Sequence, residues 1–287
     1  MKKIVVIGSI NVDLVATCDR FPKAGETLFG KDFAIYFGGK GANQAVCAAK
    51  LGADVTMIGC VGDDDHGKSA IANLDKFNIN TKEIIKTKSP TGVALITVAD
   101  HDNQIIVISG ANKEVSCDMI NEKISVIDNA DLVMLQLEIP LNTVKMIVDH
   151  CHKKKIKVIL NPAPYNDIAK ELIDKVDYMT PNKIELESMF NMDHKKALAL
   201  YPNKLIMTAG SEGVYYHDND SLINIPAQKV DVVDTTGAGD TFNGALAVAL
   251  TSGKSLRESI IFGQKAASVA IGKMGAQTAM PYLNEIK

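Results

Sequence analysis

A carboxylate that follows a run of very small residues, just inside an apolar helix, is placed to work as a general base. The stretch Asp234-Thr-Thr-Gly-Ala-Gly-Asp240, continuing as Thr-Phe-Asn-Gly-Ala-Leu246, has that form. Gly237, Ala238 and Gly239 are small enough for backbone N–H groups to turn toward one point, and the helix starting there adds its own unpaired amides. Such donors can hold the charge that develops on a transferred phosphoryl group, while Asp240 takes the proton of an attacking hydroxyl. The helix dipole favours the ionised form of Asp240, so an ordinary carboxylate that mainly orients the hydroxyl is expected. A capped helix after a glycine turn explains the same residues, and taken alone the stretch leaves the two readings level.

A second glycine-rich run, Gly38-Gly39-Lys40-Gly41-Ala42-Asn43, also opens a helix and carries Lys40 and Asn43 as polar groups able to reach hydroxyls. It lacks the Walker spacing and the Ser or Thr after Lys that holds magnesium, so a sugar-binding loop is the better reading, with a tight packing turn as the plain one. Asn11 and Asp13 stand two apart just past the first apolar run and point the same way, as recognition of vicinal hydroxyls requires; a turn cap is the alternative.

The elements that position these residues follow from periodicity. Short β-branched runs at residues 4–7, 55–58, 132–135 and 158–160 alternate with helical stretches at 42–51, 68–77, 141–150 and 168–176. That rhythm predicts an α/β fold: a doubly wound, mostly parallel sheet flanked by helices, with ligands beyond the carboxyl ends of its strands. Two segments alternate in strand fashion with no helix between them. They predict a small inserted antiparallel β-sheet, a lid drawn from about residues 14–38 and 90–110 of a single domain over 1–287. A sheet hanging off a core needs cover from substrate or a second copy, which predicts a homodimer through the lid.

Composition narrows the function. The net charge of −3, from 31 basic and 34 acidic residues, gives no positive field for nucleic acid or an anionic membrane, so a small-molecule partner is expected. No apolar run approaches a bilayer span. Cys18, Cys47, Cys60, Cys117 and Cys151 are odd in number and never spaced C-x-x-C, which predicts reduced thiols in the cytoplasm. Adjacent His150, Cys151 and His152 point apart on a helix and cannot share an ion, and Asp63 to Asp65 lack the spacing of a calcium loop.

Together these motifs closely resemble the ribokinase family of sugar kinases, the phosphofructokinase-B-like superfamily, from about residue 4 to residue 281. The resemblance implies ATP-dependent phosphorylation of ribose at its 5-hydroxyl, with Asp240 as base and Gly237, Ala238 and Gly239 as anion hole. It implies sugar contacts from Asn11, Asp13, Gly39, Lys40, Gly41, Ala42, Asn43 and the Glu138 of Gln-Leu-Glu138. In Thr91-Gly-Val-Ala-Leu-Ile96 it implies the lid strand that closes over ribose, through Ala94 and Ile96. For the nucleotide it implies Asn182, the turn Thr208, Ala209, Gly210, Ser211, Glu212 and Gly213, then Gly239, and Gln264 at a position that varies among relatives. It implies Mg2+ organised through water by Asn182 and Glu185. It also implies K+ or a similar monovalent activator, held mostly by the backbone of Asp234, Thr236, Ala270, Lys273 and Gly275. Two departures stand out. Ala279 replaces a hydroxyl that many members offer to that cation, which implies weaker potassium dependence, and the segment from 191 to 203 is shorter than usual.

Rival readings are distinguishable. A dinucleotide-dependent oxidoreductase needs G-x-G-x-x-G after the first strand, where this chain has Gly8-Ser-Ile-Asn-Val-Asp13. A silent sugar-binding regulator is expected to have lost the base or the anion hole, and both are intact. Within the family, deoxyribose, another free sugar or a nucleoside competes with ribose; Asn11, Asp13 and the complete glycine loop favour ribose.

Overall fold

Along the first strand, Lys3–Ile7 (β1), every side chain from Ile4 to Ile7 is buried, as in a strand covered on both faces. The computed structural model describes residues 2–100 and 102–286; His101, within the second expected lid segment, and Met1 and Lys287 at the chain ends lie outside the described residues. The chain leaves β1 for a hairpin, Asn11–Thr17 (β2) and Asp32–Gly38 (β3), then enters helix Lys40–Lys50 (α1). Strand Asp54–Gly62 (β4), helix Asp65–Asp75 (α2) and strand Ile84–Thr87 (β5) follow, before a second hairpin, Gly92–Ala99 (β6) and Asp102–Ile108 (β7). Short helices Cys117–Glu122 (α3) and Ile124–Asp128 (α4) lead to strand Leu132–Leu135 (β8), helix Leu141–Lys154 (α5) and strand Lys157–Leu160 (β9). The region expected to be helical over 168–176 is so only at Ile168–Leu172 (α6), ahead of strand Tyr178–Met179 (β10). Helices Lys183–Phe190 (α7) and His194–Leu200 (α8) precede strands Ile206–Thr208 (β11), Val214–His217 (β12) and Leu222–Ile225 (β13). The long helices Ala238–Thr251 (α9) and Leu256–Ile271 (α10) complete the body.

Six strands pair in the order β10-β9-β8-β1-β4-β5, all parallel. Period-two geometry splits their side chains: Ile4, Val6 and Met134 join one core with α1, α9 and α10, while Val5, Ile7 and Leu135 join another with α3, α5 and α7. The doubly wound α/β architecture is therefore as expected. A three-stranded antiparallel sheet, β11-β12-β13, continues past β10 through bridges at Leu205 and Thr208.

The lid is a separate four-stranded sheet ordered β3-β2-β6-β7. Its two hairpins are antiparallel, and they meet along a parallel β2–β6 pairing that sets Asn11 beside Gly92 and Asp13 beside Ala94. Because β2 begins at Asn11, the two polar residues stand on a lid strand itself. Among the described residues, no helix is long and apolar enough to cross a membrane.

Candidate active site

Close packing of α1 on α9 brings two distant stretches together. A Cβ on Gly244 would lie 2.6 Å from Cys47 Cβ, so only glycine permits this helix separation. Facing polar residues then meet. Asn43 Nδ2 donates to Asp240 Oδ2 at 2.9 Å, and Gln44 Nε2 donates to Asp240 Oδ1 at 3.0 Å. Asp240 itself stands in the first turn of α9, reached through Gly237 in the left-handed region at φ 73°.

Burial pushes the Asp240 pKa up; the Lys40 charge and the Asn43 and Gln44 donors pull it down, Glu138 pushes it up again, and the net shift is upward. The dipole argument pointed to an ordinary carboxylate, and the structure reverses that direction because loss of water outweighs a helix end. A carboxylate with a raised pKa is a stronger base. Lys40 stays protonated: burial lowers its pKa, but the charges of Asp240, Glu138 and Glu185 more than compensate.

Beside this centre lies a cavity of about 440 Å³, whose lining includes Asn11, Lys40, Asn112 and Glu138 on its polar side and Leu137, Ile139 and Pro164 on its apolar side. Glu138 accepts from the Lys40 amide at 3.0 Å and from the Ser9 hydroxyl. Asn11 Oδ1 accepts from Asn112 Nδ2 at 2.7 Å, which turns the Asn11 amino group elsewhere. Burial, reinforced by Glu138, raises the pKa of Asp13 to about 6. Gly39, Gly41 and Ala42 form the turn under this cavity. Gly41 presses on the Gly8–Ser9 backbone, where a Cβ would come within 2.7 Å, and the Ala42 amide donates to Ser9 O at 2.9 Å. Ala94 is buried beside Asp13, whereas Ile96 lies further out on β6, opposite Val15 and Ile105.

A second cavity, of about 600 Å³, runs between the β11–β12 turn and α10; Thr208, Gly210, Ser211, Gly213, Gln264, Ala238 and Gly239 are among its lining residues. Ala209 and Glu212 belong to the same turn but have other partners: the Ala209 amide donates to Gly213 O at 2.8 Å, and Glu212 pairs with Lys183 at 3.2 Å. Gln264 donates to Ile225 O at 2.8 Å. A third cavity of about 140 Å³ links the other two, sharing Lys40 with the first and Thr208, Ala238 and Gly239 with the second; Asn182, Glu185 and Asp240 also line it. The connecting cavity, with Asp240 in its wall, therefore lies between the two outer ones.

Asn182 and Glu185 form the capping box of α7, with Asn182 Oδ1 accepting from the Glu185 amide at 2.8 Å and Glu185 Oε2 from the Asn182 amide at 2.7 Å. Burial raises the Glu185 pKa despite that amide and Lys40. Behind the α9 turn, Asp234 Oδ1 accepts from the amide and hydroxyl of Thr236 at 2.9 and 2.6 Å, and Oδ2 accepts from the Gly275 amide at 2.9 Å. Ala270 O accepts from the Lys273 amide at 3.0 Å. Among the described residues, no three His, Cys, Asp or Glu side chains gather as a metal cage.

Ser9, Gln44 and Asn112 belong to the site and were not anticipated, whereas Asn161 stands directly after β9, at the carboxyl end of a strand where ligand-binding residues of such a sheet are expected. Gln44 had a signal, a glutamine wholly buried in the apolar run that follows Asn43. Asn112 had a weaker one, a polar residue that closes Gly110-Ala-Asn112 directly after a lid strand.

The profile of the pfkB family carbohydrate kinases matches residues 1–283. A ribokinase of Lactococcus lactis subsp. lactis is 47% identical over 289 residues, spanning 100% of this chain and 96% of the relative. One from Bacillus subtilis is 44% identical over 289 residues, spanning 100% and 99%. Among solved structures, the Arabidopsis thaliana ribokinase complexed with ribose and ATP superposes with a TM-score of 0.91 at 33% identity, covering 99% of this chain and 97% of that one.

Proposed function

This chain belongs to the pfkB family of carbohydrate kinases, and from that premise we propose that it transfers the γ-phosphoryl group of ATP to the 5-hydroxyl of D-ribose, giving ribose 5-phosphate and ADP. The carrying observation is the placement of Asp240, held by Asn43 and Gln44, where the cavity with Asn11 and Glu138 meets the one that runs to Gln264.

Ribose lies against Asn11, Asp13 and Glu138, whose donor and acceptor groups match a polyol, with the lid strand at Ala94 above it. Asp240 takes the proton of the 5-hydroxyl as its oxygen bonds to the γ-phosphorus, and the bond from that phosphorus to the β–γ bridging oxygen breaks, releasing ADP. Lys40 and the first-turn amides of α9 offset the charge that spreads over the transferred group. The adenosine end occupies the cavity beside α10.

Mg2+ fits at Asn182 and Glu185: the capping box uses one Glu185 oxygen and leaves the other for the cavity that the residue lines. The ion supplies charge neutralisation on the phosphates, with water completing its shell. A monovalent cation such as K+ fits backbone oxygens near Asp234, Thr236, Ala270, Lys273 and Gly275, since the Asp234 carboxylate is already committed to amides and a hydroxyl. Ala270 O is shared with the Lys273 amide, and Ala279 is buried and offers no hydroxyl, so the cation is held weakly.

The chain works as a cytoplasmic homodimer. Supporting the dimer, the lid exposes Ile35, Leu95 and Ile106 in one cross-strand row, an apolar surface that a second lid would cover. Supporting the compartment, all five cysteines are free. Sedimentation of Ile106→Lys as a monomer, beside a dimeric wild type, tests the assembly.

Coupled ADP-release assays on ribose, deoxyribose, fructose and adenosine, with and without potassium, test the activity. Ribose should give the highest kcat/KM, with a modest potassium effect. Preferred turnover of deoxyribose or adenosine would overturn the substrate assignment.

A further inference from the structure

The amides that hold Asp240 are inner ends of longer chains. Asn43, which donates to Asp240, accepts at Oδ1 from Gln277 Nε2 at 3.0 Å, and Gln277 accepts at Oε1 from Asn73 Nδ2 at 2.7 Å. Three amides, from α1, the segment after α10 and α2, run head to tail onto the base. Donor and acceptor chemistry dictates their polarity. A carboxylate only accepts, so Asn43 must present its NH2 group to Asp240; its carbonyl then needs a donor, which Gln277 supplies, and Gln277 in turn needs Asn73.

Gln277 is the central link and is fixed twice. Its side chain is buried between the two asparagines, and its main-chain carbonyl accepts from Lys50 Nζ at 2.8 Å. The same ammonium donates to Met280 O at 2.8 Å and lies 5.3 and 5.0 Å from the ring centres of Phe77 and Tyr282. The C-terminal segment is thereby clamped to α1 at the residue that steers Asn43.

We propose that Gln277 is a positioning residue for phosphoryl transfer: it holds the Asn43 amide with its donor toward Asp240 and so ties the seating of the C-terminal segment to the orientation of the base. The proposal rests on the reading of Asp240 as that base. Without the Gln277 donor, Asn43 is free to turn its oxygen toward the carboxylate, replacing attraction by repulsion between two acceptors in a dry site. Gln44 cannot substitute, because its Nε2 already serves Asp240 Oδ1 and Asn161 Oδ1, at 3.0 and 3.2 Å.

A double-mutant cycle tests this on the full-length enzyme. Gln277→Met, similar in length but without a donor, should lower kcat about tenfold while the KM for ATP holds, since only orientation at the reacting end is lost. Placed on Asn43→Leu, the same substitution should cost less than about twofold more, because its route to Asp240 is already cut. Asn73→Asp, which reverses the outer end of the chain, should lower kcat about threefold in the same direction. Should Gln277→Met not fold, Asn73→Asp carries the cycle in its place. A wild-type kcat in Gln277→Met, or a loss that adds in full to that of Asn43→Leu, overturns the positioning role. Asp240→Asn assayed alongside separates the two ideas: near-full turnover there removes the base and this proposal together, whereas an inactive Asp240→Asn beside a wild-type Gln277→Met overturns the positioning role alone.

Discussion

Helices α1 and α9 both start from a glycine with left-handed φ, Gly39 at 87° and Gly237 at 73°, yet their first turns differ in what surrounds them. At α1 the amides are taken: Lys40 donates to Glu138, Gly41 to Ser9 Oγ and Ala42 to Ser9 O. A Cβ on Gly41 would fall 2.7 Å from the Gly8–Ser9 backbone. At α9 a Cβ on Gly239 would meet nothing within 4 Å, because the residue faces two cavities. The first-turn amides of Gly239 and Asp240 have no intrahelical partner by position. One glycine turn is a packing joint and the other opens onto cavities, as the proposed anion cradle requires, so a glycine-opened helix is a candidate anion site only where neighbouring chain leaves its amides unclaimed.

Asp240→Asn breaks the cradle side most severely. We expect kcat to fall by about 10³-fold, as for loss of a general base, with ATP affinity by calorimetry unchanged. A variant with near-full turnover would remove Asp240 from the mechanism. Gly41→Ala and Gly239→Ala then set packing against chemistry. Gly41→Ala should cost about 3 kcal/mol of stability in urea melts, since rigid backbone on both sides must move. Gly239→Ala should leave stability within about 1 kcal/mol, alanine being the better helix former. Its methyl group projects into the cavities that Gly239 lines, where the proposed function places phosphate, so kcat/KM for ATP should fall about tenfold. Equal losses of stability in both variants would erase the distinction between the two turns.

What could be read from the chain follows the same division. Glycine turns, the carboxylate at position 240 and the β-branched strands are local signals, and each landed in the expected kind of element. The groups that complete the site are not local. Gln44, Asn112 and Gln277 gain their meaning from partners about 100 to 230 residues away, and no spacing rule relates such positions. The parallel β2–β6 pairing joins segments separated by three other strands and two helices, so hairpin signals alone left it open. The direction of the Asp240 shift has a related cause: the dipole is visible in sequence, whereas burial arises only when α1 packs against α9.

Asp13 sharpens the comparison on the packing side, where a carboxylate that the proposed function assigns to the sugar is largely buried. Its pKa is raised by burial and by Glu138 to about 6, from an ordinary 3.8. The folded state therefore holds a proton that the unfolded chain releases earlier. This stability is fully present below about pH 4 and is lost as pH rises through about 6. Two pKa units correspond to about 3 kcal/mol, and partial exposure of the side chain reduces this to about 1.5 kcal/mol. Asp13→Asn should accordingly be more stable than wild type by about that amount at pH 7.5, with the gain vanishing toward pH 4 in parallel urea melts. The same substitution should raise the KM for ribose, as should lowering the pH of the wild-type assay through about 6, because protonation removes an acceptor for sugar hydroxyls. If Asp13→Asn proved less stable at pH 7.5, the carboxylate would be a net support of the α1 joint, and the contrast between a packed turn that carries a binding cost and an open turn that carries the chemistry would fail.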